Sequence, residues 1–228
     1  MIITSDTIEV LKNYAGINQS MVFKQGSVLK TVNEQTNVLS KCTISESFPQ
    51  DFAIYDLNKF LGVLSLFTEP TLDFRDKSVV IKSGRDAQEF IAGDQLAEYQ
   101  FANIVLFEDQ EEILDKTINL PTVDADFELQ GKYLNQIMRA AAVMSLPEIA
   151  VYANNNKLSL LALDSKMSVD SYSVDLGETQ SNFKMIFKIE NLKLLPGSYN
   201  VKISNKGLGH FSNIAKELEY WIATEQSF

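Results

Sequence analysis

The sequence has few of the residues on which catalytic and metal-binding sites usually depend. Its 228 residues include one cysteine, Cys42, and one histidine, His210. A single cysteine excludes an intrachain disulfide and is typical of a reducing compartment. Zinc sites and nucleophilic triads usually recruit several such side chains, and the sequence has no Walker A motif. We therefore expect no catalytic residue, no metal site and no cofactor.

Carboxylates are the one kind of chemistry that composition leaves open. The chain has 30 Asp and Glu residues, enough for a hydrolase with paired acids, but no particular pair is positioned by a motif. Asp124 and Asp126 could contact a metal, although exposed acids at the start of a domain are commoner. We expect His210 on a surface or edge strand and Cys42 as a small buried hydrophobe.

Long apolar runs are missing as well. No segment approaches the roughly 18 uncharged apolar residues that a membrane helix requires. The first ten residues, MIITSDTIEV, have neither the basic nor the apolar region of a secretory signal. We therefore expect no membrane partner and no secretion.

Period-two alternation of apolar and polar residues dominates the chain and predicts strands. Clear examples are residues 183–189, 199–204 and 218–222, and turn residues such as Pro196-Gly197 separate the alternating runs. Alternation on one side only indicates antiparallel sheets with one buried face.

Four segments depart from this alternation and predict helices. They are residues 5–14, 56–66, 128–144 and 190–195. Residues 52–59 and 187–193 share the order strand, acidic residue, lysine, at an offset of 135 residues, which indicates a weak internal duplication. An acidic block between the halves predicts an exposed connector. The predicted organisation is therefore two similar domains, 1–107 and 122–228, joined by the connector 108–121.

Charge is distributed unevenly between the predicted helices and the rest of the chain. The net charge is −10, which by itself opposes binding to nucleic acid. The predicted helices hold five acids, each expected in a first turn: Asp6, Glu9, Asp56, Glu128 and Glu190. They also hold five bases further along: Lys12, Lys59, Lys132, Arg139 and Lys193. The whole excess of acid therefore lies outside the helices. On charge alone, an ordinary solvated helix face is the favoured explanation of these bases, and a DNA-binding surface is the alternative.

Three segments resemble the sliding clamps of T-even bacteriophages. Residues 52–66, FAIYDLNKFLGVLSL, are closely similar to the corresponding segment of that family, and the opening residues 6–13 and the LPGSY turn at 195–199 are similar to a lesser degree. The resemblance implies an α+β fold of two domains of the proliferating-cell-nuclear-antigen type. Each domain would have antiparallel sheets outside and two helices inside.

The same resemblance implies a non-enzymatic function. Three chains would form a homotrimeric ring around double-stranded DNA, without sequence preference, in the host cell cytoplasm. The ring would tether the phage DNA polymerase and would be placed on DNA by an ATP-driven clamp loader. The DNA-facing residues would be Lys12, Lys59, Lys132, Arg139 and Lys193.

The resemblance also implies a pocket for partner peptides beside the connector. Its expected residues are Ile104, Leu106, Phe107, Leu120, Pro121 and Ile222, although each of these could equally be a core residue. The connector has only Pro121, whereas the family's connector is richer in proline. The alternative to a clamp is a viral structural or assembly protein of antiparallel sheet. That alternative explains the strands and the acidity but not bases confined to helices.

Overall fold

A computed structural model of the chain describes residues 1–83, 95–167, 170–180 and 182–225. The chain divides into two compact units. The first comprises Met1–Glu34 and Ser40–Lys116, and the second comprises Gln35–Leu39 and Thr117–Phe228. In the described part of the chain, no helix is long and apolar enough to cross a membrane.

The first unit combines short antiparallel strands with three α-helices among its described residues. Its strands are β1 (Met21–Phe23), β2 (Gly26–Val32), β3 (Val38–Phe48, whose first two residues belong to the second unit), β4 (Phe52–Ile54), β5 (Pro70–Phe74), β6 (Ser78–Ser83) and β7 (Leu96–Gln100). Its helices are α1 (Ser5–Ala15), α2 (Leu57–Leu64), a 3-10 turn (Ile104–Phe107) and α3 (Glu108–Leu114). Strand β1 pairs with β4, β2 neighbours β3, and β5, β6 and β7 form an antiparallel meander.

Phenylalanine rings form the centre of the first unit. Phe52 stacks on Phe23 with 4.4 Å between ring centroids and on Phe101 with 4.9 Å. Phe48 meets Phe52 edge to face at 5.5 Å. Phe23 and Phe52 come from the fully buried strands β1 and β4, Phe48 ends β3, and Phe101 directly follows β7. Separate strands thus supply one aromatic core.

The second unit has two antiparallel sheets and, among its described residues, one α-helix. Its elements are β8 (Ala125–Leu129), α4 (Gly131–Met144), β9 (Glu148–Asn154), β10 (Lys157–Leu163), β11 (Ser171–Glu178), β12 (Phe183–Lys188), a 3-10 turn (Ile189–Asn191), β13 (Tyr199–Ser204), β14 (Leu208–Asn213) and β15 (Leu218–Ala223). One sheet has the order β11-β10-β9-β12, and in the other β8, β13, β14 and β15 are neighbours in that order.

Gly209 shows how closely the second core is packed. A Cβ atom at this position would lie 2.7 Å from Cζ of Phe187, which stacks edge to face on Phe211. The glycine is therefore explained by packing of a phenylalanine against the sheet backbone.

The helix predictions agree with the structure in the first unit and need correction in the second. The predicted helices 5–14 and 56–66 correspond to α1 and α2. The predicted helix 128–144 begins only at Gly131, because Glu128 and Leu129 continue strand β8 opposite β13. The predicted helix 190–195 is wrong: a 3-10 turn of three residues stands there, and Lys193 follows it. Periodicity also failed to predict α3, which begins the acidic connector.

Candidate functional site

All five residues predicted to face DNA have exposed side chains. Lys12 lies in the last turn of α1, Lys59 near the start of α2, and Lys132 and Arg139 on α4. Lys193 lies in a loop. Exposure is necessary for contact with a phosphate backbone but is common for these residue types, so their role stays a prediction.

A buried carboxylate fixes the N-terminus of α1. Glu46 of β3 is 8% exposed and accepts hydrogen bonds from the Thr4 backbone N–H (2.5 Å), the Thr7 hydroxyl (2.6 Å) and the Ser45 hydroxyl (2.9 Å). Burial acts to raise the pKa of Glu46, but these hydrogen bonds outweigh burial and hold that pKa below its ordinary value. A negative charge at a helix N-terminus also complements the helix dipole. Glu46 therefore sets the position of the helix that carries Lys12.

Helix α2 is fixed by a local cap and by packing. The Asp56 side chain accepts from the Lys59 backbone N–H at 2.9 Å, which satisfies one of the free donors of the first turn. Phe60 packs edge to face on Tyr99 of β7 with 5.2 Å between centroids. The Tyr99 hydroxyl donates to the backbone carbonyl of Asp56 at 3.2 Å. The Asp56 cap, the ring contact between Phe60 and Tyr99 and the Tyr99 hydrogen bond together determine where α2 begins and thus where Lys59 lies.

A groove of about 550 Å³ runs along α4 beside β11. Lys132 and Arg139 line it, and Val143 and Met144 form its apolar end. Gln136 Nε2 donates to the Tyr172 hydroxyl at 2.7 Å, which joins the helix to the strand. The side chain of Val143 is 86% exposed, unusually high for an aliphatic residue in a helix. This surface offers cations at one end and apolar contact at the other.

The loop of residues 192–198, here called the Lys193 loop, is held by buried tyrosines. The Tyr199 hydroxyl donates to the Leu195 carbonyl at 2.5 Å, and the Leu195 backbone N–H donates to the Tyr220 hydroxyl at 3.2 Å. Both tyrosines are 0% exposed. Both backbone groups of Leu195 are thus satisfied by side chains from β13 and β15 in place of a helix.

The α-helices of the structure fall into two groups by charge, a difference that the predicted helices did not show. Helices α1, α2 and α4 contain four bases and two acids, whereas α3, with the sequence EDQEEIL, contains four acids and no base. Of the acids expected in first turns, only Asp6 lies in the first turn of an α-helix. Asp56 is a cap, Glu190 starts a 3-10 turn, and Glu128 is on a strand. Taken together, α1, α2 and α4 therefore have more bases than acids, the excess coming from α2 and α4, since α1 has two acids and one base.

The six residues predicted for a partner pocket have different environments. In the first unit Phe107 is buried with Val22 and Ala53, Ile104 packs against that cluster, and Leu106 is 70% exposed. In the second unit Leu120 is half-buried, Pro121 is exposed and Ile222 is fully buried. Because side chains alternate along β15, the half-buried neighbour Trp221 lies on the opposite face of the sheet from Ile222. The pocket stays a prediction.

Sequence analysis missed a cleft of about 450 Å³ in the first unit, between α3 and strands β1 and β2. Lys24 there forms ion pairs with Glu111 of α3 and with Asp51, and the hydrogen bond to Glu111 raises the pKa of Lys24. Lys30 donates to the carbonyl of Leu114 at 2.7 Å, at the C-terminal end of α3. Lys24 and Lys30 are far in sequence from α3 and meet it only in the folded chain. Residue spacing therefore could not predict this cleft.

The remaining candidates for chemistry have structural partners. Asp124 accepts from the Thr122 hydroxyl at 2.6 Å and the Asn205 backbone N–H at 2.8 Å; the Thr122 bond does most to hold its pKa low. His210 stacks on Trp221 at 4.9 Å, and its Nε2 lies 3.2 Å from Oε1 of Glu219. Burial lowers the pKa of His210 despite that carboxylate. Cys42 is buried in β3, as predicted.

Comparison with known proteins agrees with this architecture over the whole chain. A family model described as DNA polymerase processivity factor matches residues 4–97, and one described as the C-terminal part of the gp45 sliding clamp matches residues 126–226. The sliding clamp of Vibrio phage KVP40 is 34% identical over 99% of both chains. That of Enterobacteria phage T4 is 27% identical over 91% of this chain and 89% of its own.

The fold is also that of solved clamps. A structure of the A. fulgidus PCNA bound to the C-terminal region of FEN-1 superposes with a TM-score of 0.68 at 10% identity, covering 97% of this chain and 95% of that one. The predicted α+β fold of two clamp domains is thereby confirmed. The chain belongs to the sliding-clamp family, the non-catalytic processivity factors of DNA polymerases.

Proposed function

We propose that three copies of this chain close head to tail into a ring that encircles duplex DNA and tethers the phage DNA polymerase. A clamp loader would open and place the ring, in the host cell cytoplasm. Each copy would contribute domains 1–107 and 122–228 joined by the connector 108–121. The division between compact units, after Lys116, falls inside that connector.

Two strand edges carry the ring proposal. Strand β7 ends the three-stranded sheet of the first unit, and β11 ends the four-stranded sheet of the second. At the opposite edges, a single bridge joins Ile2 to Thr71 of β5 and another joins Glu225 to Ile186 of β12. An edge strand with free N–H and C=O groups readily adds another strand. Two different edges on one chain favour head-to-tail contacts, which make a ring when the rotation closes.

Side chains near these edges are suited to contact between copies. On β7, Leu96 and Glu98 have exposed side chains. Beside β11, the groove along α4 offers the apolar side chains of Val143 and Met144. Exposed Leu96 on one copy would thus meet an apolar surface on the second unit of the next copy. Desolvated apolar contact would supply the affinity.

The solution mass of the protein and one variant test the ring. Light scattering should find a trimer, or a monomer–trimer mixture that depends on concentration. Val143→Asp should shift that mixture to monomer, because it places a charge in the apolar end of the groove. Ile214→Asp, an equally apolar-to-acid change at an exposed turn residue, is the matched control and should leave the trimer intact. A wild-type chain that stays monomeric at high concentration would refute the ring.

For DNA, we assign the phosphate contacts to Lys12, Lys59, Lys132, Arg139 and Lys193. Contacts to phosphates carry no sequence information, so a ring that makes only a few of them can slide while topology prevents its loss. The acidic remainder of the chain would repel DNA from other surfaces. Replacing Lys12, Lys132 and Arg139 together by alanine should impair loading or sliding and leave the trimer intact. Normal processive synthesis by that triple variant would disprove the assignment.

Partner peptides of the polymerase and the loader are the least specified part of the proposal. Support comes from the fold, because the A. fulgidus PCNA of this fold was solved with the C-terminal region of FEN-1. We assign the pocket to Ile104, Leu106, Phe107, Leu120, Pro121 and Ile222. With Ile222 and Phe107 buried, exposed Leu106 is the residue to test first: Leu106→Ser should weaken polymerase binding without changing the trimer.

A further inference from the structure

The Lys193 loop has a more elaborate support than an exposed surface loop needs. Leu195, two residues after Lys193, has its carbonyl bound by Tyr199 and its N–H bound by Tyr220. The two tyrosine rings meet edge to face with 6.2 Å between centroids, and both are fully buried. Leu192 and Leu195 are themselves buried. The backbone that follows Lys193 is therefore held by hydrogen bonds from buried side chains.

The same loop is fixed against the start of α4. The Gly131 N–H donates to the Ser198 hydroxyl at 3.0 Å. A Cβ atom on Gly131 would lie 2.8 Å from the carbonyl oxygen of Gly197, so the two backbones touch. Lys132 follows Gly131 directly. The segments that carry Lys193 and Lys132 are thus parts of one packed arrangement, whose buried hydroxyls come from Tyr199 and Tyr220.

We infer that Tyr199 and Tyr220 are positioning residues for DNA contact, acting through Lys193. The inference rests on the proposed function, since it requires Lys193 to contact a phosphate. A lysine on a wandering loop loses conformational entropy whenever it binds, which weakens the contact. A loop with its backbone already fixed leaves only the side chain to order. Tyr199 and Tyr220 thus fix the backbone beside Lys193, as helix α2 fixes the backbone of Lys59.

A purely structural role for the two hydroxyls makes a different prediction. If they only stabilise the core, their loss should affect DNA binding to the same extent whether or not Lys193 is present. If they act through Lys193, their effect on DNA binding should vanish once that lysine is removed. A double-mutant cycle separates these cases.

The variants are Tyr199→Phe, Tyr220→Phe and Lys193→Ala, with the tyrosine changes made in both backgrounds of the full-length chain. The first measurement is hydrogen exchange of residues 190–198. Tyr220→Phe leaves the Leu195 N–H without its acceptor, and we expect its exchange to be about tenfold faster, equivalent to 1.4 kcal/mol of local opening. The second is affinity for a short linear duplex as a function of salt, by fluorescence anisotropy.

Lys193→Ala should lower the slope of log affinity against log salt by about one. Each tyrosine variant should weaken DNA binding with Lys193 present and cause no further loss in the Lys193→Ala background. Tyr14→Phe is the matched control. It also removes a fully buried hydroxyl, which accepts from Ser40 at 3.0 Å, and its effect should be equal in both backgrounds.

Two outcomes would overturn the inference. Equal losses from the tyrosine variants in both backgrounds would make them structural residues only. An unchanged affinity in Lys193→Ala would remove Lys193 from the DNA surface. Failure of the proposed function looks different, because then the Lys12 and Lys132 variants would also leave DNA affinity unchanged.

Discussion

Each unit has an exposed lysine soon after a corresponding strand, Lys59 after β4 and Lys193 after β12. The backbone that carries the lysine is held differently in the two units. After β4, the first unit forms α2, which has a local Asp56 cap and buries Leu57, Phe60, Leu61 and Leu64. After β12, the second unit forms a 3-10 turn and the Lys193 loop. The helix is determined by residues close in sequence, whereas the loop depends on Tyr220, 25 residues beyond the Leu195 it contacts. Similar exposure of a lysine can thus rest on local or on long-range structure.

The largest expected effect comes from removing the packing of α2. Phe60→Ala should lower the free energy of unfolding by about 3–5 kcal/mol, because Phe60 is 2% exposed and its loss leaves a cavity. Urea unfolding at a fixed chain concentration measures this. Tyr55→Ala, an exposed aromatic residue before the cap, is the control and should change stability by less than about 0.5 kcal/mol. Equal effects would mean that α2 is not held by its buried face.

Alanine substitutions at two glycines should change stability in opposite directions. Gly131→Ala should cost about 1–3 kcal/mol, because the added methyl meets the Gly197 carbonyl and overpacks the junction of α4 with the Lys193 loop. Gly62→Ala, at an open position within α2, should instead stabilise the protein by about 0.5–1 kcal/mol. Thermal unfolding of both variants gives the sign directly. A neutral Gly131→Ala would show that the loop can move away from α4.

Loss of the α2 cap should be smaller. Asp56→Ala should cost about 1 kcal/mol, the usual contribution of an N-cap side chain, while Asp56→Asn keeps an acceptor oxygen and should cost little. Far-ultraviolet circular dichroism with urea unfolding measures both variants. If both cost the same, the cap hydrogen bond to Lys59 is not what stabilises the helix.

The smallest expected effect is a difference between α1 and α4 in how the contribution of the helix N-terminus to stability depends on pH. Glu46 holds the N-terminus of α1, and its pKa is below its ordinary value of 4.5 in the folded chain. A carboxylate with a lowered folded pKa stabilises the protein above its unfolded pKa, and this contribution is lost as the pH falls through the folded pKa. The advantage of wild type over Glu46→Gln should therefore shrink below about pH 4.5. The N-terminus of α4 is held by Ser198, so Ser198→Ala should cost the same at every pH.

The sequence predicted the parts of the fold that depend on neighbours along the chain. Alternation gave the strands, and Asp56 followed by Leu57, Phe60 and Leu64 gave α2. The failures were Glu128, which continues a strand because β13 pairs with it, the predicted helix 190–195, which is a 3-10 turn and a loop, and α3, whose acids looked like a linker. Lys24 and Lys30, over 80 residues earlier, pair with Glu111 and with the end of the helix and so hold α3 against the first unit. No local pattern contains that information.

The candidate site divides in the same way. The bases were identified from composition and spacing, and all five proved exposed. Their supports were not identified: Glu46 under α1, Tyr172 beside α4, and Tyr199 and Tyr220 under the Lys193 loop. Except for Tyr199, which lies close to Lys193 in sequence, each support comes from a strand distant in sequence from the lysine or arginine it serves. Ile222 was placed in the predicted pocket from position alone, and its burial depended on the phase of β15.

By itself, the sequence determined which segments alternate, where one helix is capped, the near absence of cysteine and histidine, and membership of a clamp family. The first two follow from periodicity and local hydrogen bonding, the third is composition, and the family membership rests on similarity to known clamps. Only the tertiary structure decided which strands end the described sheets, which acids pair with which bases, and how the Lys193 loop is held without a helix. Those outcomes depend on pairing between distant strands, whose register is set by the burial of whole faces rather than by any one segment.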